Sequence, residues 1–433
     1  MSIAPILPSN DFLIEMPTGA KQPELNEALI SMKNHSNSII KVIGVGGGGN
    51  NAVANMYREQ IEGVRLMVCN TDQKALEDSP VTDRLQLGPG LGAGGNPDLA
   101  RQYAEENIDK IHRALDDGTK MVFVTTGMGG GTGTGVAPII AREAKARGIL
   151  TIGIVTIPFL FEMRPRIDKA LDGVETMKKY VDALLVVNNE RLRQLYNEFT
   201  LRNAFRCADD SLTRAVRSIV EIINMRGKIN LDFRDVDTVL RDGGVAIMSY
   251  GIASGEHRIK KAIQSALDSP LLNDNDVFNS RKILMCIHAA PDEKGYPLRM
   301  DELGEIDEFM RGFHMDIGTK YGIAYDDALT DEVRVTILAS GFKLQYEDDI
   351  PFSLTDGQGN NINEMRKREE RRNTYYAKCE GNKTTIAKRR QRHVYIYDVE
   401  HIDDENVVAL VDVKPTSQRS FRDLENIEQS GKA

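Results

Sequence analysis

Apolar runs and amphipathic stretches take turns along most of this chain. Ser38–Val45, Val64–Cys69, Met121–Thr126, Leu150–Ile157 and Ala183–Asn188 are short, mostly apolar segments. Runs of that length with little alternation predict strands buried on both faces. Between them, Pro97–Ala114, Val136–Ala146 and Ile167–Tyr180 read as helices, and a helix-like stretch opens at Ala52. Asn203–Met225 reads as one long helix. Beyond it, Ala246–Ala253, Lys282–His288 and Val333–Ala339 predict strands, and Glu256–Leu267 and Met300–Met310 predict helices.

This β-α alternation predicts an α/β fold: a Rossmann-like, parallel-sheet nucleotide-binding domain joined by a long central helix to a smaller α/β C-terminal domain. Residues 1–37 carry Pro5, Pro8, Pro17 and Pro23 among polar neighbours and predict a flexible extension. Residues 38–202 form the nucleotide-binding domain, 203–229 the central helix, and 230–344 a polar loop and the second domain. Residues 345–433 read as a charged, disordered linker and tail. Its basic clusters, Arg366–Arg372 and Lys388–Arg392, alternate with the acidic stretch Asp398–Glu405. Val394–Tyr397 and Val407–Val411 are apolar islands suited to a docking peptide.

Bulk composition narrows the function. A net charge of -9 over 433 residues argues against a general nucleic-acid binder. The four cysteines form no C-x-x-C pair, so neither a zinc site nor a disulfide framework is expected, and a reducing cytoplasm is. The longest apolar run, Ile149–Ile157, is too short to cross a bilayer, so no direct membrane insertion is expected. The first residues, with Asp11 and Glu15, lack a basic-then-apolar signal pattern.

The chemistry concentrates in glycine clusters that follow predicted strands. Gly127–Gly135 lies between a strand and a helix, with Gly129, Gly130, Gly131 and Gly133 interleaved by Thr132 and Thr134. Backbone N–H groups free of Cβ, a helix N-terminus and two hydroxyls make a phosphate cradle. Gly46, Gly47, Gly48, Gly49, Asn50 and Asn51 form another, and Gly88–Asn96, including Gly94, a third. Gly44-x-Gly46-x-x-Gly49 also fits the dinucleotide fingerprint, and Asp72, past the second strand, could pass for its ribose-binding acid. An NAD-dependent dehydrogenase is therefore the rival reading. It leaves the other two clusters unexplained and lacks an obvious catalytic His, whereas three cradles around one crevice suit a nucleoside di- or triphosphate. Asn50 after Gly49 excludes a P-loop.

Further polar residues fall at the same rim. Glu162 and Arg166 follow the strand ended by Pro158, and Asn189 follows the next one. Phe205 and Asp209, four apart, share a helix face; a ring beside a carboxylate suits guanine, which offers N1–H and a 2-amino group together. A buried Phe beside a solvated Asp has the same spacing. Asn230, Asp232 and Asp235 can hold a cation, orient a water, or cap the following helix.

Taken together, Ile43–Asn51, Asn70-Thr71-Asp72, Gly129–Gly135, Pro158-Phe159 and Asn230–Asp235 resemble the FtsZ family of bacterial cell-division proteins, relatives of tubulin, over Ser38–Leu344. The resemblance implies GTP and GDP binding, Mg2+ bridging the phosphates, GTP hydrolysis, and head-to-tail filaments of identical subunits. By resemblance, Gly47–Asn51 and Gly131–Gly133 hold phosphates, Glu162 and Arg166 lie by the ribose and phosphate, Asn189 and Asp209 read guanine, and Phe205 stacks on it. The loop with Asn230, Asp232 and Asp235 would complete the neighbouring subunit's active site. Those residues argue against a relative that binds nucleotide without cleaving it. The resemblance further implies a cytoplasmic protein at the midcell division ring, meeting division proteins and membrane adaptors through its C-terminal tail. Asp423–Gln429 echo the start of the family's docking peptide but lack its Pro-x-x-Leu-Arg continuation.

Overall fold

A computed structural model describes residues 38–195, 200–268, 277–293, 296–313, 317–342 and 362–376. The expected N-terminal extension, the two apolar islands and Asp423–Gln429 lie outside the described residues.

The first half builds β1 (Ile40–Val45), α1 (Gly46–Arg58), β2 (Arg65–Asn70), α2 (Gln73–Glu77), β3 (Arg84–Gln86), α3 (Pro97–Glu106), α4 (Ile108–Leu115), β4 (Met121–Gly127), α5 (Thr132–Ala146), β5 (Leu150–Ile157), α6 (Arg164–Lys178), β6 (Ala183–Asn188) and α7 (Asn189–Leu195). Then follow α8 (Leu201–Asn224), β7 (Gly227–Ile229), α9 (Phe233–Leu240), β8 (Gly244–Ser254), α10 (Arg258–Leu267), β9 (Lys282–Ala289), α11 (Leu303–Met310), β10 (Gly318–Tyr325), β11 (Glu332–Phe342) and α12 (Ile362–Tyr376).

One sheet runs through both halves in the order β3-β2-β1-β4-β5-β6-β8-β11-β9-β10-β7. Its first part is wholly parallel. The second part is mixed: β8, β11 and β9 pair antiparallel, β9 and β10 parallel, β10 and β7 antiparallel. Helices cover both faces of the parallel part, which is why β1, β5 and β6 are buried at every position. Lys41 is their charged residue. It is 2% exposed, and its ammonium pairs with Asp117 and donates to Ala114 O at 2.5 Å. A buried ammonium left without those acceptors would be strongly destabilising.

The central helix α8 presents Ala208, Leu212, Ala215, Val216, Ile219 and Val220 to the main core. That spacing is one helical face, and each large side chain so buried stabilises by roughly 1.5–3 kcal/mol. Near its C-terminal end, Glu221 accepts from Arg334 on β11 at 3.1 Å, and Arg334 also donates to Asp326 at 2.9 Å.

Some elements differ from the sequence reading. The single helix expected over Pro97–Ala114 breaks at Asn107, whose side-chain amide donates to Tyr103 O at 2.9 Å and competes with the helical ladder. The segment Arg226-Gly-Lys228, without a sequence rationale, leads into and forms part of the edge strand β7. Within the stretch read as a disordered linker, α12 is helical; Arg371 pairs with Asp172 at 2.8 Å and Arg372 with Asp168 at 3.5 Å, both on α6. Contacts divide the chain after Arg372, and of the second unit only Asn373–Tyr376 is described.

Candidate nucleotide site

The three glycine clusters meet at the C-terminal ends of the parallel strands. β1 ends at Val45 in extended backbone, Gly46 turns at φ +70°, and α1 begins there. A Cβ on Gly44 would lie 2.3 Å from Gly49 O, and one on Gly49 would lie 2.3 Å from Thr125 O. These two glycines let the loop lie flat on β4. Gly47 is different: a Cβ there would meet nothing within 4 Å. Its backbone faces open space at a helix N-terminus, where an anion fits. Asn50 is buried beneath the loop; with its amide oriented to donate to Gly44 O, Gly46 O and Cys69 O, it ties α1 to β1 and β2. Asn51 is exposed.

The second cluster is strung against the end of β2. Gly92 N donates to Thr71 O at 2.9 Å and Gln73 N to Gly90 O at 2.9 Å. Asp72 caps α2 by accepting from Ala75 N at 3.3 Å. Thr71 Oγ1 lies 2.7 Å from Thr132 Oγ1, joining this loop to the third. A Cβ on Gly94 would meet nothing within 4 Å, while one on Gly131 would lie 2.9 Å from Asn96 N.

In the third cluster, Thr134 Oγ1 accepts from Gly129 N at 2.9 Å, and α5 starts at Thr132. A Cβ on Gly133 would lie 2.3 Å from Thr126 Oγ1 and one on Gly46 would lie 2.8 Å from Gly133 N, so the first and third loops touch. Gly130 faces open space. The predicted glycines therefore come together, but they divide between packing and an open cradle.

On the far side of the cradle, Glu162 accepts from Phe159 N at 3.0 Å and pairs with Arg166 at 2.9 Å. Phe159 stacks on Phe161 and meets Phe205 edge-on, each at 5.1 Å between centroids. Asn189 is buried, and its Oδ1 has no partner among the described residues. Asp209 is half-buried; burial, and then the charge of Asp210, push its carboxyl up to about 7. An orphaned acceptor, a desolvated carboxylate and an exposed Phe205 ring fit a planar base bearing adjacent N–H donors.

Asn230, Asp232 and Asp235 gather elsewhere, between β7 and α9. Asn230 Oδ1 accepts from Gly227 N at 2.8 Å. Asp232 and Asp235 cap α9 reciprocally: Asp235 N donates to Asp232 Oδ1 and Asp232 N to Asp235 Oδ2, each at 3.1 Å. The loop lies along β10, where a Cβ on Gly322 would lie 2.6 Å from Leu231 Cγ, and at the other end of α9 Arg241 lies 3.8 Å from Asp182. Asp182 in turn accepts from Thr151 N at the start of β5.

Sequence reasoning missed Lys320, which pairs with Asp235 at 2.9 Å, and the apolar residues Leu91, Phe161 and Met163 around the cradle. No local pattern marks them; each acquires its place from long-range pairing. The histidines among the described residues are engaged elsewhere. His112 pairs with Glu143, His257 with Glu305, and His288 is buried beside Cys286.

Known proteins share this sequence and fold. Residues 39–197 match the Tubulin/FtsZ family GTPase domain, 244–343 the FtsZ family C-terminal domain, and 389–433 a further FtsZ C-terminal segment. The cell division protein FtsZ of Porphyromonas gingivalis is 46% identical over 397 residues, spanning 88% of this chain and 85% of that protein. That of Coxiella burnetii is 44% identical over 311 residues, 70% of this chain and 79% of that protein. Among solved structures, the empty FtsZ dimer of M. jannaschii superposes with a TM-score of 0.64 at 33% identity, covering 77% of this chain and 100% of that one. CetZ2 from Haloferax volcanii, a GTPγS-bound protofilament, shares the fold at a TM-score of 0.61 and 19% identity, covering 77% and 98% of the two chains. With this identity sustained across both halves of the fold, the chain belongs to the FtsZ family of cell-division proteins, the tubulin-type GTPases.

Proposed function

We propose that this chain binds GTP at its glycine loops, assembles head-to-tail with copies of itself, and hydrolyses GTP where the Asn230–Asp235 loop of one subunit meets the nucleotide of the next. One observation carries this reading: the two halves of the site lie apart in the fold. The cradle is at the C-terminal ends of β1, β4 and β5, whereas the Asn230–Asp235 loop lies against β10, beside the far edge of the sheet. In the strand order β10 stands well beyond β5, on the order of 24 Å away at about 4.8 Å per strand. A second copy would bring the carboxylates to the phosphates. A contact between unlike surfaces does not close on itself and propagates as a filament. Exposed apolar residues stand on both surfaces, Leu91, Phe161 and Met163 around the cradle and Ile229 and Tyr321 beside the loop.

On this reading, residues 38–202 carry the nucleotide, 203–229 link the halves, and 230–344 supply the loop. Backbone N–H groups around Gly47, Gly48, Gly49, Gly94 and Gly129–Gly133 hold the phosphates, aided by Thr132 and Thr134. The Asp209 carboxylate accepts from guanine N1–H and the 2-amino group, the orphaned Asn189 Oδ1 takes a further donor, and Phe205 covers the ring. Glu162 and Arg166 border the ribose. Asn230, Asp232 and Asp235 orient the attacking water, and hydrolysis rests on positioning and electrostatics without a covalent intermediate. Among the described residues no three acidic, Cys or His side chains converge as a metal site, so Mg2+ would be held by phosphate oxygens and water and would neutralise developing charge there. Among the described residues no helix is long and apolar enough to cross a membrane. Recruitment to a midcell ring then falls to adaptors that engage the C-terminal tail.

Complementation tests this. Asp235→Ala keeps a cradle without a working loop, and Asp209→Ala keeps a loop with a weakened cradle. Each alone turns over poorly; an equal mixture regains turnover at roughly a quarter of its contacts if subunits mix at random. A mixture no more active than its components would refute hydrolysis in trans.

A further inference from the structure

Lys320 reaches from β10 to α9, placing its Nζ 2.9 Å from Asp235 Oδ1. Two features bring it there. β10 pairs with β7 in the register Ile323↔Ile229 and Ala324↔Gly227, which lays it alongside the loop. A Cβ on Gly322 would lie 2.6 Å from Leu231 Cγ, so the strand is seated against the residue just before Asp232. The capping box uses only one oxygen of Asp235, Oδ2, and the other faces Lys320.

This pairing has a chemical consequence. A bare carboxylate moved toward a triphosphate is repelled by it, and the repulsion grows as water is excluded. An ammonium carried beside the carboxylate offsets that charge. We propose that Lys320 is a positioning residue for the trans half of the active site: it turns Asp235 Oδ1 out of the capping box and accompanies it, as a compensating cation, to the neighbouring subunit's terminal phosphate. This rests on the reading that Asp235 completes hydrolysis.

The charged groups on Asp235 are few. Burial pushes its carboxyl up, but the Lys320 ammonium and the Asp232 N–H outweigh burial and hold it below the usual carboxylate range. The same pairing raises Lys320. Arg226, Lys228 and Arg234 are exposed on the same segment, and none hydrogen-bonds to Asp235. Removing Lys320 therefore moves the titration of Asp235 upward.

The test compares Lys320→Met, Lys320→Arg and Asp235→Asn in the full chain. GTPγS pelleting reports assembly, GTP turnover per pelleted subunit is measured at about pH 8, and the Asp235 carboxyl is titrated directly by carbon NMR. Lys320→Met is expected to pellet normally, lose roughly five- to tenfold in turnover, and titrate its Asp235 carboxyl at higher pH; Lys320→Arg restores most of both. Unchanged turnover and an unchanged Asp235 titration in Lys320→Met, with Asp235→Asn inactive, overturns the role of Lys320 and leaves hydrolysis in trans standing. Lost pelleting that Lys320→Arg does not restore makes Lys320 an assembly contact and overturns the proposal. A fully active Asp235→Asn removes both readings.

Discussion

Asp209 is the side chain whose ionisation the nucleotide should feel most. Desolvation and then Asp210 raise its carboxyl to about 7, so without a donor beside it the group is protonated below neutrality. Guanine presents donors, and only the carboxylate can accept from both. GDP affinity is therefore complete above about pH 7 and falls roughly tenfold for each unit below it, with a proton released on binding. Titration calorimetry in buffers of different ionisation enthalpy checks this; a flat affinity between about pH 6 and 8 removes the assigned role. The glycines divide just as sharply. Gly49→Ala would put a methyl group 2.3 Å from Thr125 O and should cost about 1–3 kcal/mol of fold stability. Gly47→Ala meets nothing within 4 Å, so the fold should melt normally while GDP binding weakens. Equal melting losses in both variants would contradict that division. In the sequence these glycines are indistinguishable, because close packing and phosphate approach both require the absence of Cβ. Phe205 and Asp209 were legible, since a four-residue spacing fixes a shared helix face.

The elements that the sequence revealed are those with their own periodicity. β1, β4, β5 and β6 read as apolar runs because both faces are covered, and α8 carries a continuous buried stripe. β3 and β7 have three residues each, too few for any period. The first four residues of β10 are exposed and escape an apolar scan. Those hidden strands matter most for the second half of the site, since β7 and β10 present the Asn230–Asp235 loop. Their pairing depends on Gly227, where a Cβ would lie 1.9 Å from Ile323 O. Gly227→Ala should part β7 from β10, lower stability by about 1–3 kcal/mol, and abolish turnover while leaving GDP binding near normal. Urea unfolding beside GDP titration separates these effects. Loss of GDP binding in parallel with turnover would show that the loop and the cradle are not independent.

At the scale of the molecule, the glycine loops stand at the C-terminal ends of the parallel strands, and the Asn230–Asp235 loop lies against β10 beside the far edge of the sheet. The motifs for both halves were legible as residue types in order. Their separation was not, because it depends on how the second, mixed part of the sheet continues the first, and among the described residues the two parts pair as strands through the two register pairs of β6 with β8. On the proposed reading, a single subunit holds all the parts of the GTPase site without bringing them together. The most direct measurement is GTP turnover per subunit against protein concentration, with polymer pelleted in parallel. Turnover should be near zero below the concentration at which polymer appears and rise with polymer above it. Specific activity that stays constant through that transition would contradict an active site completed by the neighbouring subunit.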